Sequence, residues 1–155
     1  MCGIAGIIYK NKEIKDLDIN HLSKILNHRG PEVSGNYISK NKKTALFHNR
    51  LKIIDLSNKA NQPFEFKNRY LIVFNGEIYN YLEIKNYLKK KKIKFKTNSD
   101  TEVLIAAYSF WGKDCFKKLN GMWSFVIYDK LKKEFIACRD RYGVKPLYYQ
   151  KTDDK

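Results

Sequence analysis

From Met122 to Cys138 the chain spells two strands and the turn between them, a pattern that few folds can absorb. The apolar runs Met122 to Tyr128 and Glu134 to Cys138 flank the charged segment Asp129 to Lys133, which predicts an antiparallel pair. Comparable short runs lie at Ile4 to Tyr9, almost at the N-terminus, and at Gly35 to Ser39, Thr44 to His48 and Leu51 to Asp55. A clearer one, Tyr70 to Phe74, runs up to Asn75-Gly76. Between them Ile19, Leu22, Ile25 and Leu26 recur at helical spacing within Asp18 to His28, a segment that Gly30-Pro31 closes. Tyr81, Ile84 and Leu88 mark a second helix, and Val103, Ala107 and Phe110 a third, which Ser99 and Glu102 open with a capping-box pattern. Hairpins without regular strand–helix alternation predict an α+β fold in which helices pack on antiparallel sheets. No repeat, linker or low-complexity segment divides residues 1–155, so they are expected to form one domain.

At 43% hydrophobic residues the 155-residue chain can build its own core. It has neither an apolar stretch of membrane-spanning length nor the pattern of a secretory leader, and a cytoplasmic location is expected. Cys2, Cys115 and Cys138 are an odd set without CxxC spacing, which points to neither a disulfide framework nor a metal site. The net charge of +15 is carried almost wholly by lysine, with arginine only at Arg29, Arg50, Arg69, Arg139 and Arg141. Nucleic-acid readers rely on the bidentate fork of arginine. The lysine run Lys89 to Lys92 ends a predicted helix, where cations offset the dipole. Neither nucleic acid nor membrane is therefore expected as a partner.

Four groups of residues bear on chemistry, each with a plainer structural explanation beside it. Removal of Met1 would leave Cys2 holding both a thiol and a free α-amine, and an amine of pKa about 7.7 to 8.0 can take a proton from a thiol of about 8.5. The same cysteine would equally serve as an inert buried thiol. His28-Arg29-Gly30-Pro31-Glu32 is an ordinary helix stop. Asn75-Gly76 suits a tight turn, yet an asparagine amide and a glycine N–H are also a donor pair for an oxyanion. Arg50 and Asp100 have structural uses too, but a free amino acid calls for an arginine against its carboxylate and a carboxylate against its ammonium.

Several blocks together resemble the glutamine-hydrolysing asparagine synthetases. They are Met1 to Gly6, His28 to Gly35, His48 to Pro63, Asn75 to Asn80, Ser99 to Glu102, Gly121 to Phe125 and Arg139 to Tyr148, in the family's order over nearly the whole chain. The resemblance implies a class II glutamine amidotransferase domain of the N-terminal-nucleophile hydrolase type. Its fold would be a four-layer αββα sandwich, two antiparallel sheets between helices, here C-terminally truncated because the family's domain continues for further strands. Carried over by position, Cys2 is implied as the nucleophile with its own freed amine as base, and Asn75 and Gly76 as the oxyanion donors. Arg50, Leu51, Lys52, Ile53 and Ile54 are implied to line the glutamine site, with Arg50 on the carboxylate. Asn75, Gly76, Glu77 and Asp100 would complete it, Asp100 on the ammonium. Asn49 and Lys52 depart from the family's usual residues, Lys52 replacing a common serine. For Arg139 to Tyr148 no catalytic role is expected, Gly143 and Pro146 serving as backbone punctuation. No phosphate-binding glycine loop occurs, so ATP and Mg²⁺ belong to a synthetase domain or subunit outside these residues, the partner that would use the ammonia. A homo-oligomer is compatible with this picture. An amidotransferase that passes the ammonia to another acceptor is one alternative; a non-catalytic fragment or binding module is the other class of function, and processing of Met1 separates it from the enzyme.

Overall fold

The computed structural model describes residues 1–153; the last two residues of the domain expected from the sequence lie outside them. The elements follow as β1 (Gly3–Ile8), α1 (Asp16–Leu26), β2 (Val33–Ile38), β3 (Thr44–Arg50), β4 (Phe64–Phe66), β5 (Tyr70–Ile78), α2 (Tyr81–Lys90), α3 (Asp100–Trp111), β6 (Gly121–Asp129) and β7 (Glu134–Arg139). β1, β3 and β2 form one sheet in that order, and β4, β5, β6 and β7 a second. Every pairing is antiparallel.

The side-chain alternation of the strands dictates how the sheets stack. In β3, Ala45 and Phe47 pack with Ile19 and Leu22 of α1, whereas Leu46 packs with Leu71 and Val73 of β5. In β5 the intervening Tyr70, Ile72, Phe74 and Ile78 pack with Val103, Leu104 and Ala107 of α3. The layers are therefore α1, the β3 sheet, the β5 sheet, and α2 with α3, which is the αββα order. β3 is buried along its whole length, as a central strand covered on both faces must be. Burying side chains such as Phe47 and Ile72, at most 2% exposed, stabilises the stack by about 1.5 to 3 kcal/mol each. Among the described residues no helix is long and apolar enough to cross a membrane.

The Met122–Cys138 hairpin forms as expected, in register from Ser124↔Arg139 to Asp129↔Glu134. Two expectations change, and one strand is new. Leu51 to Asp55 is a loop, not a strand, because the Arg50 side chain folds it back. The guanidinium donates to the carbonyls of Ser57 (2.8 Å) and Asp55 and to Asn61 Oδ1 (2.8 Å), while Glu32 takes the Lys52 N–H at 2.9 Å. These backbone groups are satisfied by side chains, so no partner strand is needed. Asn75-Gly76 is not a turn after the strand, since β5 continues through it to Ile78 against β6. β4 was not foreseen at all.

Two smaller points concern the helix ends. α1 closes at Leu26 and a short 3₁₀ turn, Asn27–Arg29, carries the chain to Gly30. Gly30 has extended φ (−158°), so its conformation alone does not demand glycine. The demand is spatial, because a Cβ there would sit 2.3 Å from the Asn49 carbonyl oxygen of β3. At α3, Ser99 Oγ accepts the Glu102 N–H at 3.2 Å as the capping box predicts. Glu102 instead spends its carboxylate on the N–H groups of Lys96 (2.9 Å) and Thr97 (2.7 Å), fixing the loop that leads into the helix.

Candidate active site

At the end of the inter-sheet layer lies a cavity of about 140 Å³. Its walls come from the two residues before β1, the end of β3 and the loop after it, the second half of β5, the start of α3, Met122 of β6 and the loop after β7. The volume is well under the roughly 300 to 1,000 Å³ of drug- and cofactor-sized sites and suits a small metabolite. A second cavity, of about 410 Å³, runs between β1, β7 and Leu147 to Gln150, and no charged side chain lines it. The smaller cavity holds the chemistry.

Cys2 stands immediately before β1, where Gly3 pairs with Asn49, and this register sets it beside the end of β3. Its Sγ lies 3.7 Å from the Leu51 carbonyl oxygen. Burial raises the thiol above its ordinary value, an effect the charges of the N-terminus and Arg50 oppose and Asp100 reinforces. The thiol is thus neutral at rest and needs a base.

Asn75 and Gly76 are placed by strand parity. Leu71 and Val73 face the other sheet, so Asn75, on the same face of β5, points toward the layer that the cavity terminates. Trp123, opposite Gly76, gives its own N–H to Asp140 Oδ2 (3.2 Å) and its carbonyl to the Asp140 N–H (2.9 Å). The Gly76–Trp123 pair is therefore the non-hydrogen-bonded kind, and the Gly76 N–H points away from β6, toward the edge that β4 has ceased to cover. The neighbouring donors on that edge are occupied: Phe74 N–H by Gln62 Oε1 (2.7 Å) and Ile78 N–H by Asp100 Oδ2 (3.1 Å). Gly76 N–H has no acceptor among the described residues and borders the cavity. A side chain at this position is excluded, because a Cβ would lie 2.2 Å from the Met122 carbonyl oxygen.

Asp100, the first residue of α3, is 5% exposed. Burial pushes its carboxyl up to about 6; the Ile78 hydrogen bond works against that rise and the nearby Glu77 charge adds to it. Arg50, Leu51, Ile53, Ile54, Asn75, Gly76, Glu77 and Asp100 all reach the cavity wall with Cys2. Lys52 does not. Its N–H is held by Glu32 and its Nζ donates to Asn58 Oδ1 at 3.2 Å, so the chain turns it out of the site. Arg50 both lines the cavity and clasps the loop from Asp55 to Asn61.

Other groups at the site were not singled out in the sequence. Gln62 bridges Phe74 N–H to Thr101 Oγ1 (3.2 Å), continuing the ladder where β4 stops. His48 Nε2 meets the Phe74 carbonyl oxygen at 3.2 Å, and burial lowers its pKa to about 4, so it is a neutral donor locking β3 to β5. Lys145, 4% exposed, reaches the cavity from the loop after β7. A lysine in a loop carries no sequence signal of burial. Among the described residues no group of three or more His, Cys, Asp or Glu is placed to hold a metal ion.

Two antiparallel sheets stacked between layers of helices are the fold of the N-terminal-nucleophile hydrolases. A solved structure with the same arrangement is that of glutamine phosphoribosylpyrophosphate amidotransferase from Bacillus subtilis, at TM-score 0.76 and 22% identity over 94% of this chain and 38% of that one. The chain belongs to the glutamine amidotransferase domain family, whose model matches residues 1–155. Among curated relatives, the putative glutamine-hydrolysing asparagine synthetase 2 of Methanocaldococcus jannaschii is 43% identical over 96% of this chain and 32% of its own length. The glutamine-hydrolysing asparagine synthetase 1 of Bacillus subtilis is 38% identical over 100% of this chain and 25% of its own. Amidase chry2 of Gibberella zeae is 37% identical, again over 100% and 25%. The chain thus spans a quarter to a third of the length of these relatives.

Proposed function

We propose that residues 1–155 are the glutamine-hydrolysing unit of an asparagine-synthetase-type enzyme acting in the cytoplasm. The observation that carries this reading is the convergence of Cys2, Arg50, Asn75, Gly76, Glu77 and Asp100 on one small cavity. With Met1 removed, the α-amine of Cys2 takes the thiol proton and the thiolate bonds to the side-chain amide carbon of glutamine. Charge on the amide oxygen falls between Asn75 and the unengaged Gly76 N–H. The proton held by the amine goes to the departing nitrogen, which leaves as ammonia. Water, deprotonated by the same amine, then cleaves the thioester, releasing glutamate and restoring the thiol. Arg50 takes the substrate carboxylate, while Asp100 and Glu77 take its ammonium. The length and names of the relatives support a synthetase part that uses the ammonia to amidate aspartate, with ATP and Mg²⁺ bound there. No nucleic acid or membrane enters this scheme.

The test compares the protein lacking Met1 with a form that retains it, scoring ammonia and glutamate release from glutamine. Only the processed form should turn over, since an amide nitrogen on Cys2 is no base. Equal activity in both would end this reading.

Asp100 adds a pH signature. Asp100 helps hold the substrate ammonium only as its carboxylate, so below pH about 6 its protonation should add about a further tenfold per pH unit to the fall in kcat/KM that protonation of the Cys2 amine already sets. The sign for stability is opposite. A carboxyl raised in the folded state stabilises fully below its unfolded pKa, and that contribution is lost as pH rises through about 6. Asp100→Asn should therefore raise stability at neutral pH by about 1 to 3 kcal/mol while glutamine affinity drops by about ten- to a hundredfold. Thermal melts and pH–rate profiles read both; a variant destabilised at neutral pH would contradict the assignment.

A further inference from the structure

Lys145 is out of place for a loop lysine. Its backbone is fixed on both sides, the N–H donating to Asp140 Oδ2 at 2.9 Å and the carbonyl accepting from Arg139 Nε at 2.8 Å. This rigid segment drives the side chain inward until the residue is 4% exposed and its Nζ meets the thioether of Met1. Sulfur is a weak acceptor, and it is the only one Nζ has among the described residues. An ammonium buried against so poor a partner is costly unless something better takes its place. Loss of Met1, on which the glutamine-hydrolysis reading rests, would remove even that sulfur and create the α-amine of Cys2 in the same corner of the cavity.

We propose that Lys145 is the charge that keeps the freed α-amine of Cys2 neutral, and so able to take the thiol proton. An ammonium beside an amine disfavours protonation of the amine and favours the thiolate, so one cation drives both halves of the proton transfer the same way. The other charged side chains on the cavity wall are Arg50 from the end of β3, Asp55 from the loop after it, Glu77 from β5 and Asp100 from α3. Arg50 is engaged with the Asp55 and Ser57 carbonyls and Asn61, and the three carboxylates would raise the amine's proton affinity. Arg50 keeps its positive charge in those neutral hydrogen bonds and acts on Cys2 as well, and Lys145 adds a second cation against the carboxylates. It acts through Cys2 and has no bond to make or break.

The test is made on the processed full chain. Titration of a ¹⁵N-labelled Cys2 α-amine by NMR should give a value that rises by about one pH unit in Lys145→Met and returns toward wild type in Lys145→Arg. At saturating glutamine, where Asp100 is occupied, the acid limb of kcat should move up by about one unit with it. KM should stay within about twofold. Lys145→Gln, expected to show the same rise, carries the test should the methionine variant fail to fold. An amine titrating alike in wild type and Lys145→Met overturns the proposal, as does a KM raised about tenfold at unchanged kcat, which would make Lys145 a substrate-binding group. The titration needs no turnover, so an inactive wild type would defeat the hydrolysis reading while the role of Lys145 was still decided.

Discussion

Cys2→Ala should abolish glutamine hydrolysis and leave the melting temperature within a few degrees of wild type. Losing a nucleophile that works with its base as one unit costs on the order of a million-fold in turnover, which is below detection in an ammonia-release assay. The fold should not notice. Cys2 precedes β1 and takes no part in its ladder, whose first pair is Gly3↔Asn49. The hydrogen bond its thiol makes among the described residues, 3.7 Å to the Leu51 carbonyl oxygen, is weak. Alanine also remains small enough for Met1 to be removed, so the variant keeps the free amine and isolates the sulfur. Activity surviving in this variant would mean that the cavity is not where hydrolysis occurs. A large loss of stability would mean instead that Cys2 is chiefly a packing residue.

Elements written in local periodicity were legible before the structure. The β6–β7 hairpin, the stripes of α2 and α3 and the Ser99 cap each depend on residues a few positions apart, and the blocks of family resemblance gave the layered sandwich. What could not be read depends on contacts far apart in sequence. Leu51, Ile53 and Ile54 look like strand residues because they are apolar, but two of the carbonyls of that turn are claimed by Arg50, and the apolar side chains go to the cavity wall. Asn75-Gly76 breaks local strand propensity, yet pairing with Ser124 and Trp123 carries β5 straight through it. Lys52 belonged to the right block and still fell outside the site, because Glu32, twenty positions earlier, turned its peptide away. Lys145 shows the reverse. The Asp140 carboxylate, which collects the N–H groups of Trp123, Tyr142, Val144 and Lys145, buries a residue whose type predicts exposure.

Asn75→Ala should lower kcat by about a hundred- to a thousandfold, the usual cost of one oxyanion donor, with KM changed by no more than a few-fold. Charge appears on the amide oxygen only as the thiolate attacks, so a donor aimed at it acts on the transition state more than on bound glutamine. Parity in β5 explains why activity should not vanish. The Asn75 backbone remains opposite Ser124 in the ladder, which keeps the next N–H, that of Gly76, pointing off the uncovered edge. One of two donors would persist. The same geometry separates a chemical effect from a structural one, because among the described residues the Asn75 side chain makes no hydrogen bond that holds the ladder, and its removal leaves Gln62 and Asp100 still holding Phe74 and Ile78 on either side. Steady-state kinetics and a thermal melt on one preparation decide the matter. A variant that keeps its melting temperature and loses turnover fits an oxyanion donor, whereas a rise in KM with unchanged kcat would move Asn75 to substrate binding and leave Gly76 alone at the oxyanion.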